Sequence, residues 1–294
     1  MIPIHPAKFN WLYCFLKSIP TDEVEDLNFD LILLVSNEAE KNKISRAINS
    51  TIPKLFNKIK YLDIYEYIET YLEDKELLDR YIKNENKCIV NLKKFIALHW
   101  GMKYYDYMAV IDCDAIFNGT TKLLFKQLIH NYDTKKIFMG GHNVINAIIR
   151  IQKDSASFFP EKEFQKIMKS TSDFQSYAWF FDVPFYKRND LIDFYSYVLE
   201  KNERDYNFWM KINWESFEHL IYQFYLFLQK DFKFINYNTT CKNVIPEFLS
   251  YSELNKIYLK YNYQPAWATF SNVLISPENY NNKSFSLLYH VDRI

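Results

Sequence analysis

The chain carries a short apolar run that ends in two acids, Tyr107-Met108-Ala109-Val110-Ile111-Asp112-Cys113-Asp114. An apolar run of this length, closed by charges, predicts a buried strand at residues 107–111. Asp112 and Asp114 then stand where this strand leaves the sheet. Because open α/β sheets bind their ligands at the carboxyl ends of strands, the position of the two acids predicts a site.

Apolar runs that alternate with helical patterns predict parallel strands joined by crossover helices. The other predicted strands are residues 2–5, 29–35, 58–64, 137–139, 179–184, 232–237 and 268–275. Predicted helices are residues 7–18, 38–48, 65–82, 90–102, 164–170, 188–201 and 214–229. No repeat, linker or change of composition divides the chain, so we expect one α/β domain over residues 1–294.

Composition excludes several classes of protein. The chain has 36 Lys plus Arg and 36 Asp plus Glu, so its net charge of zero predicts no nucleic-acid partner. Its 4 glycines cannot form a glycine-rich dinucleotide or phosphate loop. The 4 cysteines are far apart and form no C-x-x-C pair, which argues against a zinc knuckle and a disulfide framework.

Two further features of the composition bear on location and binding. No basic and apolar leader opens the sequence, and no apolar run of about 18 residues occurs in it. We therefore expect a cytoplasmic protein, with at most peripheral contact at the inner face of the membrane. The aromatic share of 19% rises together with Lys, Asn and Ile, as in AT-rich coding DNA, so by itself it indicates no function.

Two carboxylates separated by one residue offer oxygen ligands to Mn²⁺ or Mg²⁺ and leave coordination positions for phosphates. The D-x-D pattern alone is common and also occurs in solvated turns and caps. Here it follows a buried strand, where packing gives no reason for two charges. Asp112 and Asp114 therefore predict a metal site.

Three stretches carry a resemblance to a known family: the run 91–98 (Asn-Leu-Lys-Lys-Phe-Ile-Ala-Leu), Tyr105-Asp106-Tyr107 and Ile111-Asp112-Cys113-Asp114. Together they resemble the donor-binding half of GT-A-fold glycosyltransferases, and are most similar to bacterial enzymes that decorate surface polysaccharides. The resemblance implies a mixed, mostly parallel central sheet flanked by helices. It also implies a nucleotide-sugar-binding half at about residues 1–120 and an acceptor-binding half at about 121–294.

The resemblance implies a role for each matching residue. Asp112 and Asp114 would hold Mn²⁺ or Mg²⁺ against the diphosphate of a UDP- or GDP-linked donor, and Lys94 would approach the donor. His290 resembles a late histidine that completes the metal shell, although it can equally be an exposed histidine near the chain end. By position alone, near the first two strand ends, His5, Ser36 and Asn37 are predicted to contact the nucleotide of the donor. Cys113, between the two acids, is a further predicted donor-binding residue. Gly141 and His142 would border the donor sugar or form an ordinary turn.

Two acids are predicted on the acceptor side. Glu218, placed with Glu215 in the first turn of a helix and sharing a face with Tyr222, is the candidate to accept the acceptor's proton or bind its hydroxyls. The alternative is that an acid in the first turn of a helix only interacts favourably with the helix dipole and has no part in catalysis. Asp182, in an aromatic strand, would face the acceptor cleft or the solvent.

The predicted function is metal-dependent transfer of a sugar from a nucleotide-diphosphate donor to a hydroxyl of a bacterial surface glycan, such as capsule or lipooligosaccharide. One alternative is a haloacid-dehalogenase-like phosphatase, which also places D-x-D after an apolar strand, although early in its chain. Another is a non-catalytic subunit that binds sugar or nucleotide. Donor sugar, acceptor and stereochemistry stay open.

Overall fold

The computed structural model describes residues 1–19, 29–72, 75–83, 88–113, 115–118, 121–140, 146–171, 183–202, 205–236, 265–269 and 287–291. Strands β1 to β10 are Ile2–Pro3, Leu31–Val35, Ile59–Asp63, Tyr107–Ala109, Ala115–Asn118, Ile137–Gly140, Phe185–Lys187, Lys233–Asn236, Pro265–Thr269 and Leu287–Val291. Helices α1 to α12 are Phe9–Ser18, Glu38–Thr51, Pro53–Phe56, Ile64–Tyr67, Lys75–Lys83, Ile89–Gly101, Thr121–Thr134, Asn146–Ala156, Glu161–Thr171, Arg188–Lys201, Asp205–Lys211 and Glu218–Gln229. The described part of the chain is mixed α/β and mostly helical.

A small parallel sheet has the order β1-β2-β3. All five residues of β2 are buried, as expected for a central parallel strand covered on both faces. β4 lies beside β1, because Met1 N donates to Ala109 O at 2.7 Å and Ile111 N donates to Met1 O at 2.9 Å. Two bonds that flank Val110 in this way are typical of parallel neighbours. The carboxyl ends of β1 to β4 therefore lie along one edge.

Antiparallel pairing surrounds this parallel part. β7 pairs with β4, and Val110 N donates to Pro184 O at 3.1 Å beside that ladder. A separate sheet has the order β5-β10-β9, in which Ala115 is opposite His290. Through this pairing β10, the last described strand, lies beside Ala115, the residue that follows the D-x-D segment.

Helix α6 is buried on nearly every side and positions the chemistry described below. It packs against β1 and β2 as well as α4, α10 and α12. Leu92, Phe95 and Ile96 have no exposed surface. Lys93 and Lys94 on the same helix are 3% and 8% exposed, so both ammonium groups require polar partners inside the protein.

The structure confirms the predicted α/β class and corrects several elements. One helix over 65–82 is wrong, because α4 passes into a π-helical turn at Ile68–Leu72 and α5 follows separately. The strand predicted at 179–184 is wrong at 183–184, since β7 begins at Phe185, and 179–182 lie outside the described residues. None of the described helices combines the length and apolar character that a bilayer crossing requires.

Candidate functional site

Lys94 lies between two carboxylates at the carboxyl end of β4. Its Nζ is 2.9 Å from Asp112 Oδ1 and 4.0 Å from Glu218 Oε1. The side chain of Asp112 is 41% exposed, that of Lys94 10%, and that of Glu218 2%. The three charges therefore run from the surface at Asp112 to the interior at Glu218, and the Lys94 amine joins them.

Local structure explains why each group is there. Lys94 is carried by the buried helix α6, whereas Asp112 follows β4 in a turn in which Ala115 N donates to Asp112 O at 3.2 Å. Glu218 is the first residue of α12, where the helix dipole favours a negative charge. Two carboxylates and one amine leave this cluster with one excess negative charge when both acids are ionised.

The surroundings of Glu218 are polar but incompletely paired. The Tyr186 hydroxyl donates to Glu218 Oε1 at 3.4 Å, and Oε2 has no hydrogen-bond partner among the described residues. Burial raises the pKa of Glu218 above its usual value, and the nearby Lys94 opposes the rise. Burial, with a smaller contribution from Lys94, lowers the pKa of the neighbouring His219 to about 3, so His219 is neutral at pH 7.

The raised pKa of Glu218 predicts a pH-dependent loss of stability. Folding favours the protonated acid, so its contribution is complete below pH 4.5 and is lost as the pH rises through the folded-state pKa. Replacing Glu218 by glutamine removes this titration. We expect Glu218→Gln to become progressively more stable relative to the wild type above pH 4.5, as measured by urea unfolding from pH 4.5 to 8. If the difference in free energy of unfolding between variant and wild type does not change with pH, the raised pKa of Glu218 is contradicted.

A second polar cluster lies at the carboxyl ends of β1 and β2, around Glu40. Glu40 Oε2 accepts from Ser36 N at 2.7 Å and is 3.4 Å from Lys93 Nζ, while Glu40 Oε1 is 3.7 Å from His5 Nε2. Lys93 also donates to Ile4 O at 3.0 Å. The predicted donor-binding residues His5 and Ser36 are thus brought together by one partly buried carboxylate.

Glu40 and Lys93 were not among the predicted site residues. A local signal for Glu40 exists in the sequence, because Asn37 and Glu40 have the spacing of a helix capping box. Asn37 does cap α2, with Glu40 N donating to its Oδ1 at 3.0 Å. The Glu40 side chain, however, reaches Ser36 N. No local pattern distinguishes Lys93 from an exposed helix lysine.

Four other predicted site residues, and the side chain of a fifth, lie outside the described part of the chain. Asp114, Gly141, His142 and Asp182 lie outside the described residues, and of His290 only the backbone, opposite Ala115, is described. Cys113 is half-buried against the core beside Asp112.

One detail of the predicted acceptor side is wrong. Glu215 does not open α12 but lies in the preceding turn, with its Oε1 2.7 Å from Arg150 Nε. The reason is local: Glu215 N donates to Asn213 Oδ1 at 2.6 Å, a side-chain turn that competes with the helix. Glu218 and Tyr222 do lie one turn apart on α12, as predicted; the hydroxyl that bonds Glu218 is that of Tyr186, whereas the Tyr222 hydroxyl is 2.6 Å from that of Tyr132.

No family model, curated protein or solved structure matches this chain. Within the described part, no group of three His, Cys, Asp or Glu side chains is arranged to hold a metal ion. Of the predicted ligands, Asp112 is the one whose side chain belongs to that part. A functional assignment therefore depends on the geometry around Lys94.

Proposed function

We propose that the protein is a glycosyltransferase of GT-A fold that uses Mn²⁺ or Mg²⁺. It moves a sugar from a UDP- or GDP-linked donor to a hydroxyl of a bacterial surface glycan. The observation that carries the proposal is the Lys94 cluster at the carboxyl edge of the parallel strands, where α/β sheets bind their ligands.

The order of the strands supports this proposal. Hydrogen bonds continue from β3 through β2, β1 and β4 to β7, with β7 antiparallel to its neighbour. The D-x-D segment follows β4, and α6 with its two buried lysines precedes it. A helix with a lysine ahead of the strand that ends in D-x-D is what the resemblance to GT-A enzymes implies for the donor-binding half.

Asp112 would offer a hard oxygen ligand to a divalent cation, since its side chain is 41% exposed, and the Lys94 ammonium 2.9 Å from its Oδ1 would share that carboxylate with the cation. The pairing of Ala115 with His290 places the residue 290 backbone next to the same segment. A bound cation would stabilise the negative charge that develops on the departing nucleoside diphosphate. Asp112, with Asp114 and His290 as the predicted further ligands, would hold it.

Lys94 would donate hydrogen bonds to donor oxygens from a fixed position. Asp112 pairs with its amine at 2.9 Å and Glu218 attracts it from 4.0 Å, so its long side chain loses little freedom when the donor binds. Glu218 is 2% exposed and lies behind Lys94. We therefore assign Glu218 as a positioning residue for Lys94, instead of the group that takes the acceptor's proton.

A screen of nucleotide sugars tests the function. The purified protein is incubated with UDP-glucose, UDP-galactose, UDP-N-acetylglucosamine, GDP-mannose and GDP-fucose, with Mn²⁺, Mg²⁺ or EDTA, and released UDP or GDP is measured. We expect release that requires metal and is selective for one base. Lys83→Met, at an exposed lysine paired with Asp79, is the control that keeps full activity.

Three outcomes contradict the proposal. No release from any donor contradicts donor cleavage. Metal-dependent hydrolysis of p-nitrophenyl phosphate without release from a nucleotide sugar favours the phosphatase. Nucleotide binding without turnover favours a binding subunit.

A further inference from the structure

A depression of about 530 Å³ lies at the amino edge of the parallel sheet. It is lined by Asp30, Lys60, Tyr61, Trp100, Tyr104 and Tyr105. Asp30 immediately precedes β2, Lys60 is the second residue of β3, and Tyr105 lies just before β4. The candidate active site is at the opposite, carboxyl edge, so this depression is a separate place on the molecule.

Aromatic rings form one wall of the depression. The centroid of the Trp100 ring is 5.0 Å from that of Tyr104 and 5.9 Å from that of Tyr105, with interplanar angles of 46° and 49°. Rings tilted in this way do not cover one another's faces completely. Tyr104 is 59% exposed, so a large part of an aromatic surface faces the solvent here.

A paired acid and base form the other wall. Asp30 Oδ2 accepts from Lys60 Nζ at 2.5 Å and from the Tyr105 hydroxyl at 2.8 Å. The side chains of Lys60 and Asp30 are 58% and 36% exposed. One positive and one negative group cancel, so the wall offers hydrogen-bond donors and acceptors without net charge.

We propose that this depression binds a sugar ring of a neutral glycan. A pyranose presents an apolar C–H face that can pack on an aromatic ring, and hydroxyls that can bond to the carboxylate and the ammonium group. The volume is within the range of small-molecule sites, about 300–1,000 Å³. A balanced ion pair gives little attraction for a nucleic-acid backbone or an anionic bilayer, which are bound by excess positive charge.

The inference rests on the proposed function only for the identity of the glycan, which would be the acceptor chain. Lys94 and Trp100 are six residues apart on α6, about 9 Å along the helix axis. A long acceptor anchored in the depression would raise the effective concentration of its other sugars near the transfer site. The aromatic residues that would contact this glycan are Trp100, Tyr104 and Tyr105.

Indole NMR signals test this binding directly. The protein is labelled with ¹⁵N at its tryptophans, the Trp100 signal is assigned with Trp100→Phe, and maltohexaose or cellohexaose is added up to 20 mM. We expect a saturable shift of the Trp100 signal with at least one of these neutral hexasaccharides. Tyr104→Ala should weaken the affinity at least tenfold, whereas Trp214→Phe, at another tryptophan 59% exposed, should leave it unchanged.

Absence of a Trp100 shift with both hexasaccharides overturns the inference, and so does a shift caused only by single-stranded DNA or by vesicles of anionic phospholipid. Donor hydrolysis is measured in parallel. Hydrolysis without saccharide binding contradicts this inference alone, and saccharide binding without hydrolysis contradicts the proposed function alone.

Discussion

Replacing Lys94 by methionine is expected to lower kcat/KM for donor cleavage about a hundred- to thousandfold. Methionine keeps much of the side-chain volume but removes the charge that lies 2.9 Å from Asp112. An amine held in place before the donor binds is worth far more than a mobile one, because no reorganisation is needed when negative charge develops. Steady-state kinetics with the donor identified in the screen measure the loss.

The Lys94 variant should remain folded. Without the amine, Glu218 is a buried acid whose pKa is already raised by burial, so it can take up a proton instead of remaining as an unpaired charge. Taking up that proton at pH 7 costs free energy, so the double variant Lys94→Met/Glu218→Gln should be more stable than the single variant and equally inactive. Activity within tenfold of the wild type in a folded Lys94→Met protein would contradict the role of this lysine.

Replacing the adjacent Lys93 by methionine should instead destabilise the fold, by about 3–5 kcal/mol. Lys93 and Glu40 have side chains 4% and 14% exposed, and the substitution leaves the Glu40 carboxylate partly buried without its main cation. The pKa of Glu40 lies below its usual value despite burial, since Ser36 N and Lys93 favour its charged form. Urea unfolding at pH 7 measures the change in free energy of unfolding.

A paired variant provides the control for Lys93. In Lys93→Met/Glu40→Gln no charge is left unpaired, so more than half of the lost stability should return. If Lys93→Met costs less than about 1 kcal/mol, the buried pair does not have the importance that its burial indicates.

The sequence is sufficient to predict the parallel part of the fold. Residues 31–35 form an unbroken apolar run, and such runs leave few alternatives to a strand buried on both faces. Once β1 and β2 are identified, the polar residues that follow them, such as Ser36 and Asn37, can be placed near the carboxyl edge of the sheet. The GT-A fold itself stays part of the proposal.

The pairings between charges could not be predicted. Lys93 and Lys94 look like ordinary helix lysines, but Lys93 is paired with Glu40 and Lys94 lies beside Glu218, both far from them in the sequence. Glu218 was predicted from its place at a helix start, but its depth behind Lys94 is a property of tertiary packing. The pairing of β10 with β5 likewise joins residues about 170 positions apart, and no local pattern encodes it.

Isothermal titration calorimetry of UDP and GDP with Mn²⁺ tests the account most directly. For the wild type we expect one of the two nucleotides to bind in Mn²⁺ and to lose most of its affinity in EDTA. Asp112→Asn, which keeps the size of the side chain but removes the charge of a predicted ligand, should weaken binding in Mn²⁺ about a hundredfold and bring it near the EDTA value. Equal affinity in wild type and variant, or wild-type affinity that survives EDTA, would contradict a cation held by Asp112.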